Sequence, residues 1–523
     1  MNVEQVWIAG EWRIANRSSI FVAKNPATTS ELPGEYPVST WSDCDAALDA
    51  SVRASIELRE ASGEQIATFL ESYANAAEAS ADQIIAMANA ETGLPVRPRL
   101  QSIELPRMTT QLRQAGAAAR EGSWQQVVID TKNNIRSHFA PMGPVIVFGP
   151  NNFPFAFNGI SGGDFAAAIA TGCPVIAKAH PLHPGTSRLL AKCAETALHG
   201  SGLPASAVQM LYNVANEDGL RLVSDPRVAA SSFTGSRSAG IRLKAAADAA
   251  GKLMYLEMSS LNPVVLLPGA VAERGDALVT ELADSCLAAA GQFCTSPNLL
   301  LAIAGGATER LAAGLAEALE ERPSGTIFSE AGLSGLHKSV QDLIQSGARV
   351  IKGAEYADGE GWRYKNTLLR VSACDFLAAL DQLQNEAFGN ATLLVTADDL
   401  PQLASVIESL EGNLTGSIYS AATGLDDAMY ATVASALRPK VGRMMNDKMP
   451  TGVALSPAMN HGGPFPSTSH PGFTAVGIPR SLLRFGALHC YDAVREDRLP
   501  VALRDKAPTS AIWRMIDGNF VKG

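Results

Sequence analysis

No two of the seven cysteines stand at Cys-x-x-Cys spacing, and an odd count scattered from Cys44 to Cys490 makes neither a disulfide framework nor a zinc site. A stapled secreted scaffold is excluded, no metal is expected, and a reducing cytoplasm fits the thiols. No uninterrupted apolar run approaches the ~20 residues that cross a bilayer, so no membrane span is expected. The start, Met1-Asn2-Val3-Glu4-Gln5, has neither the basic nor the apolar region of a signal peptide. The 42 Lys and Arg are outnumbered by 52 Asp and Glu, and this net charge of −10 leaves no basic footprint for nucleic acid or anionic membranes. There is no internal repeat and no low-complexity tail.

What is there describes an enzyme-sized globular chain. Its 523 residues are too many for one core and predict two or three domains, and 46% hydrophobic against 18% charged residues is ordinary globular composition. Residues 43 to 120 carry helical spacing rich in Ala, Glu, Arg and Leu. After Pro141-Met142-Gly143-Pro144, short apolar runs bounded by turn residues read as strands: Val145 to Gly149, Pro174 to Lys178, and Val208 to Tyr212. Helices are expected between them, over Gly163 to Thr171 and about Thr186 to Leu198. The pattern restarts after residue 262 with Pro263 to Leu267, Asn298 to Ile303, Thr392 to Val395 and Ser417 to Tyr419. Strands alternating with helices mean βαβ units and a parallel sheet, here in two α/β domains. Ligands on such sheets bind beyond the carboxyl ends of the strands. Lys178 ends its strand and is thereby a candidate binding residue, the alternative being a solvated lysine.

No Gly-x-Gly-x-x-Gly follows any of these strands. Instead Ser232-Phe233-Thr234-Gly235-Ser236 leads into a helix from Ile241, where Gly235 and Ser236 could offer donors to a phosphate, or Ser236 simply cap the helix. The run Gly291-Gln292-Phe293-Cys294-Thr295-Ser296-Pro297 follows an Ala-rich stretch read as helical from Leu282 to Ala290, and Gly291 and Pro297 bracket Cys294 as turn residues. A cysteine presented on a turn is a candidate nucleophile, and a buried structural thiol is the alternative. Gly452 to Gly472, rich in Gly, Pro, Ser and His, is too long for a plain connector.

Six motifs in one order resemble the aldehyde dehydrogenase superfamily over essentially the whole chain: Asn151-Asn152-Phe153-Pro154, Val175-Ile176-Ala177-Lys178, Phe233-Thr234-Gly235-Ser236, Leu256-Glu257-Met258, Gly291-Gln292-Phe293-Cys294 and Asn385-Glu386-Ala387-Phe388-Gly389. Within it, Lys178 to Ser187 and Gly162-Gly163-Asp164 look like the α-ketoglutarate semialdehyde dehydrogenase branch, which also includes NADP-linked fatty aldehyde dehydrogenases. The resemblance implies an α/β fold with a Rossmann-type cofactor domain (1–121 and 142–257), an α/β catalytic domain (258–481), and a small β oligomerisation flap with the C-terminal tail (122–141 and 482–523). It implies oxidation of an aldehyde to a carboxylate. Cys294 would be the nucleophile, Asn152 and the Cys294 N–H the oxyanion donors, and Glu257 the general base for thioester hydrolysis. Lys178, Gly235, Ser236, Glu386 and Phe388 would bind NADP or NAD, with His180 and Pro181 beside them.

The resemblance further implies a homodimer or homotetramer, with oligomerisation strands near Asn134 to Ala140 and Leu482 to Tyr491. A carboxylate-bearing substrate would need a cation, which Arg107 or Arg113 in the helical run Leu105 to Arg113 could supply, each with a solvated arginine as the alternative. Three departures stand out. Met258-Ser259-Ser260 replaces the family's Leu-Gly-Gly, Asn385-Glu386 replaces a double Glu, and Asn390 replaces a Pro. In NAD-preferring relatives an acidic residue follows the strand-end lysine by three places; here that place is Pro181, so no carboxylate repels a 2′-phosphate and NADP should be accepted at least comparably with NAD. The competing readings are a dehydrogenase of fatty or aromatic aldehydes, an acylating enzyme that passes the acyl group to coenzyme A, and a non-catalytic scaffold on the same fold. Glu257 argues against the second, and the intact Cys294, Asn152 and Glu257 against the third.

Overall fold

The apolar runs become the interiors of two large sheets in the computed structural model, which describes residues 3–523; the first two residues of the Met1 to Gln5 segment lie outside the described residues. The first sheet has seven strands in the order Leu253–Glu257, Ala230–Thr234, Val145–Phe148, Val175–Lys178, Val208–Leu211, Val6–Ile8, Glu11–Arg13. The first five are parallel. The two from the N-terminal segment add antiparallel, and the sequence pattern did not single them out. Helices Gly163–Ala170 and Pro184–Leu198 connect successive strands, within two residues of where the periodicity puts them.

The second sheet also has seven strands, in the order Arg349–Lys352, Thr367–Ser372, Ala391–Ala397, Leu299–Ile303, Val264–Leu266, Asn413–Tyr419, Val441–Asn446. All but the first pair are parallel. Such strands are covered on both faces, which is why they read as unbroken apolar runs. Side chains alternate across the sheet. Val265 and Leu301 enter one apolar cluster, while Val264, Leu266, Leu300 and Ala302 enter the other.

A five-stranded sheet stands apart from these, in the order Gly486–Asp492, Ile135–Pro141, Val127–Asp130, Trp513–Ile516, Asn519–Lys522. Leu482, expected to begin a strand, instead lies in a short 3₁₀ segment, Arg480–Phe485, and the strand starts at Gly486. Among the described residues no helix is long and apolar enough to cross a membrane.

One difference from expectation and one expected feature bear on the site. The helix expected to reach Ala290 ends at Leu287. Ala289, Ala290 and Gly291 then lie in the left-handed region, with φ of 49°, 54° and 70°. For the two alanines this conformation costs about 1–2 kcal/mol each, so the surroundings must hold it. The long loop expected over Gly452 to Gly472 is found and extends over 447–479, which forms no helix or strand and bridges to Glu257 through Thr468.

Candidate functional site

Cys294 is delivered by the left-handed turn, and the turn is fixed by backbone approach. A Cβ on Gly291 would stand 2.0 Å from the Gly389 carbonyl oxygen, so only glycine fits there. The next side chain, Gln292, is a buried strut. Its amide nitrogen donates to the Ala289 and Thr326 carbonyls at 3.0 and 2.9 Å, and its oxygen accepts from the Phe328 N–H at 3.0 Å. Three such bonds hold the strained alanines in place and aim the thiol outward.

Glu257 ends its strand, 1% exposed, and one carboxylate oxygen lies 3.1 Å from His461 Nε2. The same nitrogen lies 3.5 Å from Cys294 Sγ. Glu257, His461 and Cys294 therefore form one contiguous group. Burial, then the Glu257 charge, pushes the Cys294 thiol well above its ordinary range, while Arg107 acts the other way. His461 is the residue that the motif pattern missed. It comes from the long Gly/Pro loop, and its N–H donates to Thr474 Oγ1 at 2.9 Å. A Cβ on Gly462 would meet the Phe473 carbonyl oxygen at 2.1 Å, so the glycines after His461 let this loop lie at backbone distance from its neighbours. A histidine beside paired glycines in a long loop was the available signal.

Asn152 is 4% exposed, and its side-chain nitrogen donates to the Gln292 carbonyl at 2.9 Å, leaving its second N–H for another acceptor. Its backbone carbonyl accepts from Arg99 Nη2 at 2.7 Å. Arg99, which no motif flagged, lies against the rings of Phe153 and Phe293, 4.3 and 4.6 Å from their centroids, where the two rings meet edge to face, and pairs with Glu104 at 3.0 Å. Glu104 in turn accepts from the Phe155 and Ala156 N–H groups. A single cation thus ties the Asn152 loop to the Cys294 loop.

From Cys294 a cavity of about 560 Å³ runs to the carboxyl ends of the first sheet, lined among others by Asn152, Lys178, His180, Gly235, Ser236, Glu257, Glu386 and Phe388. The sequence candidates converge here, with one exception: Pro181 is half-buried but does not line the cavity. Lys178 has no acidic partner among the described ion pairs, and burial lowers it to about 8. Burial raises Glu386 to about 8, opposed by hydrogen bonds from Ser259 and the Ser260 N–H. Ser236 caps the helix Arg237–Ala249 by accepting from the Ala239 N–H, which is the simpler of its two expected roles, and its helix start still opens on the cavity. His180 and His183 stack at 5.3 Å, and His183 Nε2 meets the Pro150 carbonyl at 2.9 Å. A buried, unpaired lysine beside a helix start is a fitting cradle for a phosphorylated cofactor.

The two arginine candidates separate. Arg113 is exposed and bound to Glu78 and Asn75, so it has no part in the site. Arg107 is not itself a lining residue of the cavity, but it lies 5.5 Å over the ring of Phe157, which is one, donates to the Val453 carbonyl, and its charge acts on Cys294. Its Nε and Nη2 have no partner among the described residues. Arg443, missed in the sequence, reaches the same segment, donating to the Pro450 and Gly452 carbonyls, and its charge also acts on Cys294.

The sequence departures are absorbed locally. Neither Ser259 nor Ser260 needs a left-handed backbone, which falls on Asn262 instead. Asn390 donates to the Tyr364 carbonyl and the Asn366 side chain at 2.7 and 2.8 Å.

Residues 12–463 match the aldehyde dehydrogenase family. The α-ketoglutaric semialdehyde dehydrogenase 2 of Azospirillum brasilense is 39% identical over 86% of this chain and 87% of its own length. The α-ketoglutaric semialdehyde dehydrogenase of Acinetobacter baylyi is 32% identical over 92% of each. Among solved structures, the NAD+ complex of an aldehyde dehydrogenase from Bacillus cereus superposes with a TM-score of 0.80 at 20% identity, covering 94% of this chain and 96% of that one. The lactaldehyde dehydrogenase of Escherichia coli superposes with a TM-score of 0.79 at 22% identity, covering 93% and 98%.

Proposed function

The chain belongs to the aldehyde dehydrogenase family and is an NAD(P)-dependent oxidoreductase acting on the aldehyde group, and from that premise we propose that its substrate is a small aldehyde bearing a carboxylate, with α-ketoglutarate semialdehyde the leading candidate. The observation that carries the substrate class is Arg107, a buried cation on the thiol side with N–H groups still free. A carboxylate is the natural partner for such a group, because an unpaired buried charge is costly. The names of the two similar semialdehyde dehydrogenases point the same way.

The mechanism follows from the residues. The Cys294 thiol attacks the aldehyde carbon and forms a thiohemiacetal while its proton passes to His461 Nε2 at 3.5 Å, and that N–H can then donate to Glu257 at 3.1 Å. The second N–H of Asn152 and the Cys294 backbone N–H hold the developing oxyanion. Lys178, Gly235, Ser236, Glu386 and Phe388 would hold the nicotinamide cofactor, which when bound would supply the hydride acceptor. Glu257, aligned by His461, activates the water that hydrolyses the resulting thioester on Cys294. We read the two seven-stranded sheets and the five-stranded sheet as the centres of the cofactor, catalytic and oligomerisation portions, divided at 1–121 with 142–257, 258–481, and 122–141 with 482–523. The open edge of the Gly486–Asp492 strand, with Leu488 exposed, supports a homodimer or homotetramer. All seven cysteines are free thiols, in keeping with a cytoplasmic setting.

The deciding experiment is a kcat/KM panel of dicarboxylic semialdehydes, long-chain aldehydes and aromatic aldehydes with both cofactors, run on the native chain and on Arg107→Met. The semialdehyde should lead, and Arg107→Met should raise its KM at least about tenfold while sparing uncharged aldehydes. A long-chain or aromatic aldehyde that wins by tenfold would replace this reading with the alternative one.

A further inference from the structure

Sulfur, imidazole nitrogen and carboxylate oxygen are the three ligand types that zinc prefers, and here one of each converges on a single point. Cys294 Sγ, His461 Nε2 and a Glu257 oxygen all lie within 4.8 Å of one another, with 3.5 Å from sulfur to nitrogen and 3.1 Å from nitrogen to oxygen. Zinc bonds of about 2.3 Å to sulfur and 2.0–2.2 Å to nitrogen and oxygen, at tetrahedral angles, put ligand atoms about 3.3–3.6 Å apart. The sulfur–nitrogen and nitrogen–oxygen separations need adjustments of only a few tenths of an ångström. The other Glu257 oxygen is buried without a partner among the described residues, so the carboxylate has spare capacity. Three protein ligands leave a fourth position open to water. The cavity that reaches Cys294 and Glu257 gives an ion a path in.

We propose that the Cys294, His461 and Glu257 group is also an inhibitory binding site for zinc, or another soft divalent cation, which occupies the thiol reversibly and excludes the aldehyde. Zinc takes the sulfur as thiolate, so the thiol proton leaves for solvent as the Zn–S bond forms, and no oxidant or reductant is involved. The charges suit a single divalent ion. Arg107 and Arg443 bear on the same sulfur and oppose excess positive charge, but thiolate, carboxylate and zinc sum to zero. Hard cations such as magnesium, which demand oxygen ligands, are not held by this set. The site depends on geometry alone and stands whichever aldehyde is the substrate.

The test is equilibrium dialysis of the reduced full-length protein against zinc, read as metal per chain, with cobalt as a spectroscopic substitute whose thiolate charge-transfer band reports sulfur ligation. One ion per chain is expected, together with protection of Cys294 from iodoacetamide, inhibition competitive with aldehyde, and full recovery on chelation. Losing even an outer-sphere partner of a metal site costs about 10–100-fold in affinity, so Cys294→Ser, His461→Asn and Glu257→Gln should each weaken binding by at least that much. A Cys374→Ser, Cys490→Ser double variant, which removes the two exposed thiols, should bind as the native chain does. No bound zinc, binding indifferent to Cys294→Ser and Glu257→Gln, or binding lost with the surface thiols would each overturn the proposal. Because dialysis needs no substrate, its failure leaves the substrate reading untouched.

Discussion

Arg99 donates to the backbone carbonyl of Asn152 at 2.7 Å, so the loop that carries the proposed oxyanion donor is anchored by a cation from a segment with no catalytic motif of its own. The same guanidinium lies on Phe293, the residue before Cys294. Position, not charge, is what it supplies to the reaction. Arg99→Lys keeps a charge for Glu104 but loses the planar guanidinium that touches both rings while bonding Glu104 and the Asn152 carbonyl. We expect kcat to fall roughly 10–100-fold with the cofactor KM changed little, since small misplacements of reacting groups cost about that much. Arg99→Ala should also lose stability, about 3–5 kcal/mol if Glu104 is left unpaired, visible as a lowered Tm. Arg99→Lys with native kcat would remove it from positioning.

For the thiols, Cys294→Ala should cost several orders of magnitude in turnover. Cys374→Ser and Cys490→Ser, on the surface, should leave both rate and Tm unchanged. Cys44, Cys173, Cys193 and Cys286 are buried, so serine there should lower Tm by placing a hydroxyl in an apolar setting while kcat holds. Steady-state rates beside thermal melts separate the two effects, and substantial turnover by Cys294→Ala would sink the mechanism.

Glu257→Gln and His461→Gln should fail at different steps. Attack and hydride transfer need no hydrolytic base, so Glu257→Gln should give a burst of reduced cofactor and then a slow steady state. His461→Gln removes the 3.5 Å acceptor of the thiol proton and should slow the burst itself. The sign of the pH effect follows from the raised thiol: burial and the Glu257 charge hold it protonated, so kcat/KM should climb as pH rises. Without His461 that climb should move to higher pH. A His461→Gln profile that overlays the native one would leave the histidine with no role in deprotonation.

Lys178 gives cofactor binding its own pH dependence. Burial lowers it to about 8, so its positive charge is present below that pH and lost above it. Affinity for NADP should therefore weaken as pH rises past about 8, and Lys178→Met should flatten that dependence. Pro181→Glu should weaken NADP more than NAD by bringing a carboxylate near the strand-end lysine. Titrations monitored by protein fluorescence read both, and a hundredfold preference of the native chain for NAD would show that another group controls the choice.

The strands of the two large sheets were legible because doubly covered strands are apolar runs, and Val145–Phe148, Val175–Lys178 and Leu299–Ile303 fall where those runs lie. Val6–Ile8 was not, because three residues carry no period. The helix read through Ala290 stops early because alanine propensity is weak against a turn fixed by Gly291 on Gly389. At the site, Cys294, Glu257, Asn152, Lys178 and Glu386 sit in recognisable runs of sequence. Arg99, Gln292, His461 and Arg443 do not: they act through contacts between distant segments, and one of these, His461 with Cys294, joins positions 167 apart.

That separation has a consequence for how the enzyme comes into being. The ribosome delivers Cys294 long before His461, so a growing chain carries the thiol with its carboxylate partner Glu257 but without the imidazole that bridges them. Through that interval the sulfur has no proton acceptor at 3.5 Å. On the proposed mechanism activity is thereby tied to completion of the strands and loop that precede residue 461, and a chain arrested before it would carry Cys294 without His461 beside it.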